Sequence, residues 1–200
     1  MLGEIIDALF FPPSFRNPGR ALKRMEKRWG RLRRLTVHCQ HHMPDGSWVL
    51  VQANLEGDQD ESSYGVHTIV EKRQGSLADG EFAWNWARQA AAERGADCQL
   101  EEHFMAARRK EDSLQEFERQ LTELEKFSGR KVTSLGLYST SDDRGQDDSF
   151  ILKAYLAALP GASNPGLSSI AAFDLSQQEE LRSLAAQLAE RRQITVRETA

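Results

Sequence analysis

Apolar residues recur at helical spacing in the first part of the chain, and this pattern predicts two helices. The first spans residues 2–11 and ends at Pro12-Pro13. The second is predicted over residues 17–35, because Asn17 is a favoured N-cap and Pro18 suits the first helical position. The apolar stripe of this second helix is narrow and consists of Leu22, Met25, Trp29 and Leu32.

Alternating apolar and polar residues then predict three consecutive strands. Thr36–His42 and Trp48–Leu55 flank a Pro-Asp-Gly turn, and Tyr64–Arg73 follows a polar loop. Beyond these strands the pattern alternates between helix and strand, with a helix at 76–94, a strand at 96–107, a helix at 113–129 and a strand at 131–139.

The last quarter of the chain has a more ambiguous pattern. Residues 149–159 stay open between helix and strand, since Ala and Leu favour a helix while the apolar run permits a strand. Ser176 and Glu179 have the spacing of a capping box and predict a helix through Arg192, which makes the end of the chain rich in helix. The sequence shows no internal repeat.

This order of elements predicts an α+β fold with a mainly antiparallel sheet. Three consecutive N-terminal strands are followed by α-β-α-β, with the helices packed on one face of the sheet. We expect two parts, an N-terminal amphipathic and basic helical arm at residues 1–34 and a single α+β domain at residues 35–200.

Composition agrees with a folded protein in a reducing compartment. Apolar residues make up 40% of the chain and charged residues 28%, which is ordinary for a globular domain. The longest apolar run is too short for a membrane-spanning helix, and Glu4 and Asp7 within the first apolar segment argue against a secretory signal. Cys39 and Cys98 lie far apart without metal-binding spacing. We therefore expect a cytoplasmic location.

The net charge of −4 conceals a strongly basic segment. Residues 16–34 contain nine Lys or Arg against Glu26 alone, a charge of +8, so the remainder of the chain carries −12. Three interpretations of the basic helix stay open. It docks on the acidic body through its apolar stripe, it binds a nucleic-acid backbone, or it forms a membrane-surface anchor together with residues 2–11.

Three of the five histidines lie in the segment His38-Cys39-Gln40-His41-His42. On a strand, His38 and His42 share one face and stand ~13 Å apart at ~3.3 Å per residue, too far to hold one ion. Cys39 and His41 share the other face and are weak candidates for metal ligands, but two ligands do not make a zinc site. No metal site is predicted.

An aromatic cluster lies in the helix at 76–94. Phe82, Trp86 and Ala90 share one helical face, which we expect to pack on the sheet. Trp84 lies about 160° around the helix from Phe82 and is a candidate for contact with a partner, because exposed aromatic residues favour interfaces.

The segment from Gly65 to Ser139 has the order strand-helix-strand-helix-strand and ends in LTELEKFSGRKVTSLGLYS. This order resembles the regulator-of-ribonuclease-E-B family of small α+β inhibitors. The Tyr-Asp-Gly-Trp signature of that family is absent, since Ser134-Leu135-Gly136-Leu137-Tyr138 stands in its place. No residue role is carried over from that family.

The sequence contains no P-loop, no GxGxxG after a strand, no GxSxG, no HExxH and no Cys/His nucleophile pattern. We therefore predict no catalytic residue and no cofactor.

The predicted function is a non-enzymatic binding or regulatory module that contacts an acidic partner, a protein or a nucleic acid such as RNA or DNA. The alternatives are a metal-dependent hydrolase that uses the strand histidines and a peripheral membrane-surface protein. The predicted contact residues are Arg20, Lys23, Arg24, Lys27, Arg28 and Arg31 as donors to phosphate or carboxylate, with Trp29 as a stacking or packing group.

Overall fold

A computed structural model describes residues 17–43, 46–57, 66–105, 113–141 and 147–199, so the helix predicted at residues 2–11 lies outside it. The described helices are α1 (Pro18–Trp29), α2 (Leu77–Ala92), α3 (Leu114–Ser128) and α4 (Gln178–Arg192), and the described strands are β1 (Leu32–His42), β2 (Gly46–Leu55), β3 (Val66–Gly75), β4 (Asp97–Met105), β5 (Val132–Ser141), β6 (Asp147–Leu156), β7 (Gly166–Asp174) and β8 (Thr195–Thr199). A 3-10 helix at Leu175–Gln177 precedes α4. None of the helices in the described ranges has the length and apolar character needed to cross a membrane.

The strands form an eight-stranded mixed sheet in the order β3-β2-β1-β4-β7-β6-β5-β8. Strand β4 is parallel to β7, and β8 is parallel to β5. Contacts between β1 and β4 advance in the same direction along both strands, from Arg34–Asp97 to His38–Glu101, so this pair is also parallel. The α+β class is confirmed, whereas the prediction of a mainly antiparallel sheet is only partly right.

The described residues group into two compact units. The first contains those up to Gln40 and those from Gly46 to Glu102, and the second contains the others. The predicted division into an arm at residues 1–34 and a domain at residues 35–200 is a statement about independent folding. The grouping into two units does not test that statement, so the division stays a prediction.

In the first unit, helices α1 and α2 pack on the same face of the strands. Alternate residues of β2 are buried, and His67 and Lys72 of β3 continue this buried face across the β2–β3 pair. His67 contacts Trp29 of α1, and Lys72 contacts Asp79 of α2. The first unit therefore has one face covered by helices, as the period-two alternation of its strands predicts.

In the second unit, α4 covers one face of the strands. Phe150 and Leu152 of β6 are buried together with Leu181 and Leu188 of α4. The Arg192 side chain at the end of α4 donates hydrogen bonds to groups on α3, including the carboxylate of Glu125 at 3.0 Å. The two helices of this unit are thereby held together.

The two units share one topology although the sequence shows no repeat. Each consists of a helix, three antiparallel strands, a second helix and a fourth strand. In each unit the fourth strand lies beside the first strand and parallel to it, which gives the orders β3-β2-β1-β4 and β7-β6-β5-β8. The fold thus repeats an arrangement that the residue pattern does not reveal.

The first correction concerns the end of helix α1. The helix ends at Trp29 because Gly30 adopts a φ of 90°, a conformation that L side chains rarely adopt. Residues from Leu32 onward therefore belong to β1, although the pattern predicted helix through residue 35. The predicted N-cap is confirmed, since the Asn17 side chain accepts a hydrogen bond from the Arg20 backbone N–H at 3.1 Å.

The second correction concerns the last quarter of the chain. The prediction of an end rich in helix is wrong, since β6, β7 and β8 supply three strands there. Residues 149–156 are strand, with Leu152, Ala154 and Leu156 buried while the alternating Lys153 and Tyr155 are partly exposed. Pairing with a strand on each side outweighs the helix preference of Ala and Leu.

Candidate functional site

Helix α1 is anchored to the first unit by its apolar stripe. Leu22 is fully buried, and the ring of Trp29 stacks on the His67 ring of β3 with centroids 4.1 Å apart and an interplanar angle of 26°. The Arg94 guanidinium at the end of α2 donates to the Glu26 carboxylate at 2.8 Å. Intramolecular docking through the stripe, one of the three interpretations of the basic helix, is therefore what the structure shows.

The end of α1 is fixed to the turn that follows β2. The Gly57 N–H donates to the Trp29 carbonyl oxygen at 2.7 Å, and the Glu56 N–H donates to the Arg31 carbonyl oxygen at 2.9 Å. A Cβ atom at Gly57 would lie 2.7 Å from the Trp29 carbonyl oxygen, so only glycine allows this approach. The orientation of α1 on the unit is therefore set at both its centre and its end.

The backbone positions of the cations of α1 lie together on the side of the helix opposite the stripe, although the Arg28 side chain folds over the Trp29 ring. At 100° per residue the five cations span about 140° of the helix surface, and the centre of this arc is diametrically opposite Trp29. All five are exposed, and Arg31 just beyond the helix is exposed as well. We call this surface the basic face, and its members are Arg20, Lys23, Arg24, Lys27 and Arg28.

The acid within the basic segment is engaged outside the basic face. Glu26, the acid within the basic segment, lies to the side of the face and is paired with Arg94. Lys23 and Lys27 make no ion pair with any described residue. The basic face is thus a row of cations one helical turn or less apart, which is about 5–6 Å between neighbouring side chains.

Trp29 packs inside the unit rather than pointing away from it. Its ring stacks on His67, and the Arg28 guanidinium lies 4.6 Å from the ring centroid. Of the two roles predicted for Trp29, the structure shows packing.

The strand histidines alternate between faces as predicted. His38 donates through Nδ1 to the Glu101 carboxylate at 2.9 Å, while His41 is buried and its ring lies 4.6 Å from that of Phe104. Cys39 is also buried. Within the described parts of the chain, no three His, Cys, Asp or Glu side chains come close enough together to hold a metal ion.

Trp84 is not available to a partner, because only 3% of its surface is exposed. The predicted packing face of α2 is only partly right, since Ala90 is buried as expected, whereas Phe82, which we also expected on the sheet, is 51% exposed. The buried face instead combines Trp84 with small residues that let the helix lie close to the strands, namely Gly80, Ala83, Ala87, Ala90 and Ala91.

Sequence reasoning identified the cations of the basic face but missed the residues that orient them. Gly30, Glu56 and Gly57 fix the end of α1, and Arg94 neutralises Glu26. Of these, Gly30 carries a signal in the sequence, since a glycine after a helical pattern favours a helix end. The other three depend on contacts between distant segments.

Comparison with protein-family models, with curated proteins and with solved structures found no match to this chain. The chemistry of the candidate site therefore rests on the geometry described above. An exposed row of cations on a docked helix is suited to contact with a polyanion.

Proposed function

We propose that this protein is a non-enzymatic binding module that contacts the phosphate backbone of nucleic acid through the basic face of α1. The observation that carries the proposal is that the helix docks through its apolar stripe, which leaves its cations exposed. Since Glu26 is paired with Arg94, the charge of the face acts outward on a partner.

Nucleic acid fits this face better than the other acidic partners. Protein interfaces centre on a buried apolar core, and membrane-surface helices insert an apolar face, but the basic face contains only polar and charged side chains. The apolar stripe is itself occupied, since Leu22 is fully buried and Trp29 stacks on His67. Contacts with a phosphate backbone require charge and no apolar group, and they do not depend on base sequence.

Docking of α1 also prepares the face for binding. A helix already fixed to a folded unit loses little conformational freedom when its partner arrives. The metal-dependent alternative receives no comparable support, because His38 and His41 lie on opposite faces of β1, where His38 contacts Glu101 and His41 contacts Phe104.

The proposal is tested with two variants that remove the same charge. The Lys23→Gln/Lys27→Gln variant removes two cations from the basic face, and the Lys126→Gln/Lys131→Gln variant removes two exposed lysines from the second unit. Binding of fluorescently labelled RNA and duplex DNA of random sequence is measured by anisotropy, and flotation with anionic vesicles is measured in parallel. We expect the first variant to bind duplex DNA about 50-fold more weakly near 0.1 M salt, and the second to bind like the wild type.

Two results would contradict the proposal. One is equal affinity of both variants for nucleic acid, which would mean that binding is a property of overall charge. The other is binding to anionic vesicles without binding to RNA or DNA, which would assign the basic face to a membrane surface.

A further inference from the structure

A second cationic cluster lies in the second unit, on the strand face opposite α4. Leu137 of β5 and Leu152 of β6 are buried on the helix side, so their neighbours Gly136 and Lys153 belong to the opposite face. Arg197 of β8 is paired in register with Gly136 and shares that face. Neither the charge pattern nor any sequence motif indicates this cluster.

Gly136 forms the floor of the cluster, with a cation on each side. Lys153 is its partner in register on β6, and Arg197 is its partner on β8. The rings of Tyr138 and Tyr155 close over the glycine, because a Cβ atom at Gly136 would lie 2.7 Å from Cε2 of Tyr138 and 2.8 Å from Cε2 of Tyr155. The two tyrosine hydroxyls are hydrogen-bonded to each other.

The Tyr155 hydroxyl is protonated at neutral pH. Burial and the neighbouring Tyr138 hydroxyl raise the pKa of Tyr155 to about 12, although the charge of Arg197 acts in the opposite direction. Two hydroxyls that share one hydrogen bond leave one O–H free to donate to another group. The cluster therefore offers a donor in addition to its two cations.

The cations of this cluster are not neutralised by described neighbours. Lys153 Nζ lies 4.8 Å from the centroid of the Tyr138 ring, a cation–π contact, and neither Lys153 nor Arg197 forms an ion pair with a described residue. Asp174 shares this strand face, but it is paired in register with Ser149, four positions along β6 from Lys153 and thus about 13 Å away. The charge of the cluster is consequently available to an anion.

We propose that the Gly136 cluster binds a phosphate monoester group. A dianion with three oxygen atoms can accept from the Lys153 ammonium, the Arg197 guanidinium and a tyrosine hydroxyl at the same time. Such a phosphate is carried by a small metabolite or by a phosphorylated peptide, and both present the same group to the cluster.

The test is a titration of the full chain followed by backbone amide NMR. Inorganic phosphate, phenyl phosphate and a phosphoserine peptide are the probes, with sodium chloride at matched ionic strength as the reference. We expect saturable shifts of the Gly136, Lys153 and Arg197 amides. A higher affinity for phenyl phosphate would indicate a small-molecule ligand and a higher affinity for the peptide a protein-borne phosphate, and either result supports the site.

Variants separate this site from the basic face. Lys153→Gln and Arg197→Gln should each weaken binding at least about tenfold, because each removes a charge-assisted hydrogen bond. Lys131→Gln, an exposed lysine at the start of β5, should leave the affinity unchanged, as should Lys23→Gln/Lys27→Gln. The proposal is overturned if the three amides show no saturable shift up to about 20 mM phosphate, or if Lys153→Gln and Arg197→Gln bind like the wild type.

Discussion

Replacing Leu22 with alanine tests whether α1 is an integral part of the first unit. Leu22 is fully buried, so the substitution removes three carbon atoms from a packed environment. At about 0.8 kcal/mol per buried methylene the lost transfer free energy is about 2.4 kcal/mol, and the remaining cavity adds to it. We expect the free energy of unfolding of the unit to fall by about 2.5–4 kcal/mol.

Urea denaturation followed by tryptophan fluorescence measures this loss. The four tryptophans of the chain all lie in the first unit, so their emission reports the unfolding of that unit. The matched control is Lys23→Ala, an exposed neighbour on the same helix, which should change the free energy of unfolding by less than about 0.5 kcal/mol. If Leu22→Ala has no larger effect than the control, α1 is not docked and the account of the basic face is wrong.

Two further predictions concern the start of α2 and the thiol of Cys98. Asp79 accepts hydrogen bonds from Lys72 and from the Ser76 N–H. Burial raises the pKa of Asp79, but these hydrogen bonds outweigh burial and lower the pKa overall. The stabilising effect of the carboxylate is therefore present above about pH 4 and is lost as the pH falls through the folded-state pKa. Asp79→Asn should therefore lower the free energy of unfolding, measured by urea denaturation, by about 1 kcal/mol at neutral pH and by less at pH 3. Asp97→Asn, at an exposed position, serves as the control. An equal loss at both pH values would refute this assignment. Burial raises the pKa of Cys98 to about 11 from 9.0. The reaction of this thiol with a disulfide reagent at pH 8 should therefore be about 100-fold slower than in the unfolded chain. A rate equal to that of the unfolded chain would show that the thiol is not shielded.

Local signals predicted many features of the first unit. Asn17 caps α1, and the alternation of residues 38–42 correctly placed His38 and His41 on opposite faces of the strand. These features depend on hydrogen bonds within one helical turn or on the period of a strand, which a short segment specifies by itself.

The errors arose where distant segments determine the outcome. In α2, the prediction of the packed face was based on Phe82 and Trp86. The face that packs closely on the strands instead contains Trp84 and the small residues around it, and Phe82 is exposed. Strand β6 forms because β5 and β7 pair with it on either side. The Ala and Leu content of the segment does not indicate that these neighbouring strands are present. The parallel pairing of β5 with β8 likewise depends on the helix between them.

The candidate site was predicted in part for the same reason. The concentration of cations at residues 16–34 is visible in the sequence, and so is the stripe that contains Leu22. The pairing of Glu26 with Arg94 and the close approach of Gly57 to Trp29 join segments that are far apart in the chain, and they turn a basic segment into an oriented basic face.

The most direct test of the basic face is the dependence of duplex DNA affinity on salt concentration. If the five cations of the face each contact one phosphate, the slope of log affinity against log salt is about −4.5 for the wild type, and it becomes about −2.7 for Lys23→Gln/Lys27→Gln. The Lys126→Gln/Lys131→Gln control should keep the wild-type slope. Identical slopes for all three proteins would contradict the account, because the basic face would then make no contact with the backbone.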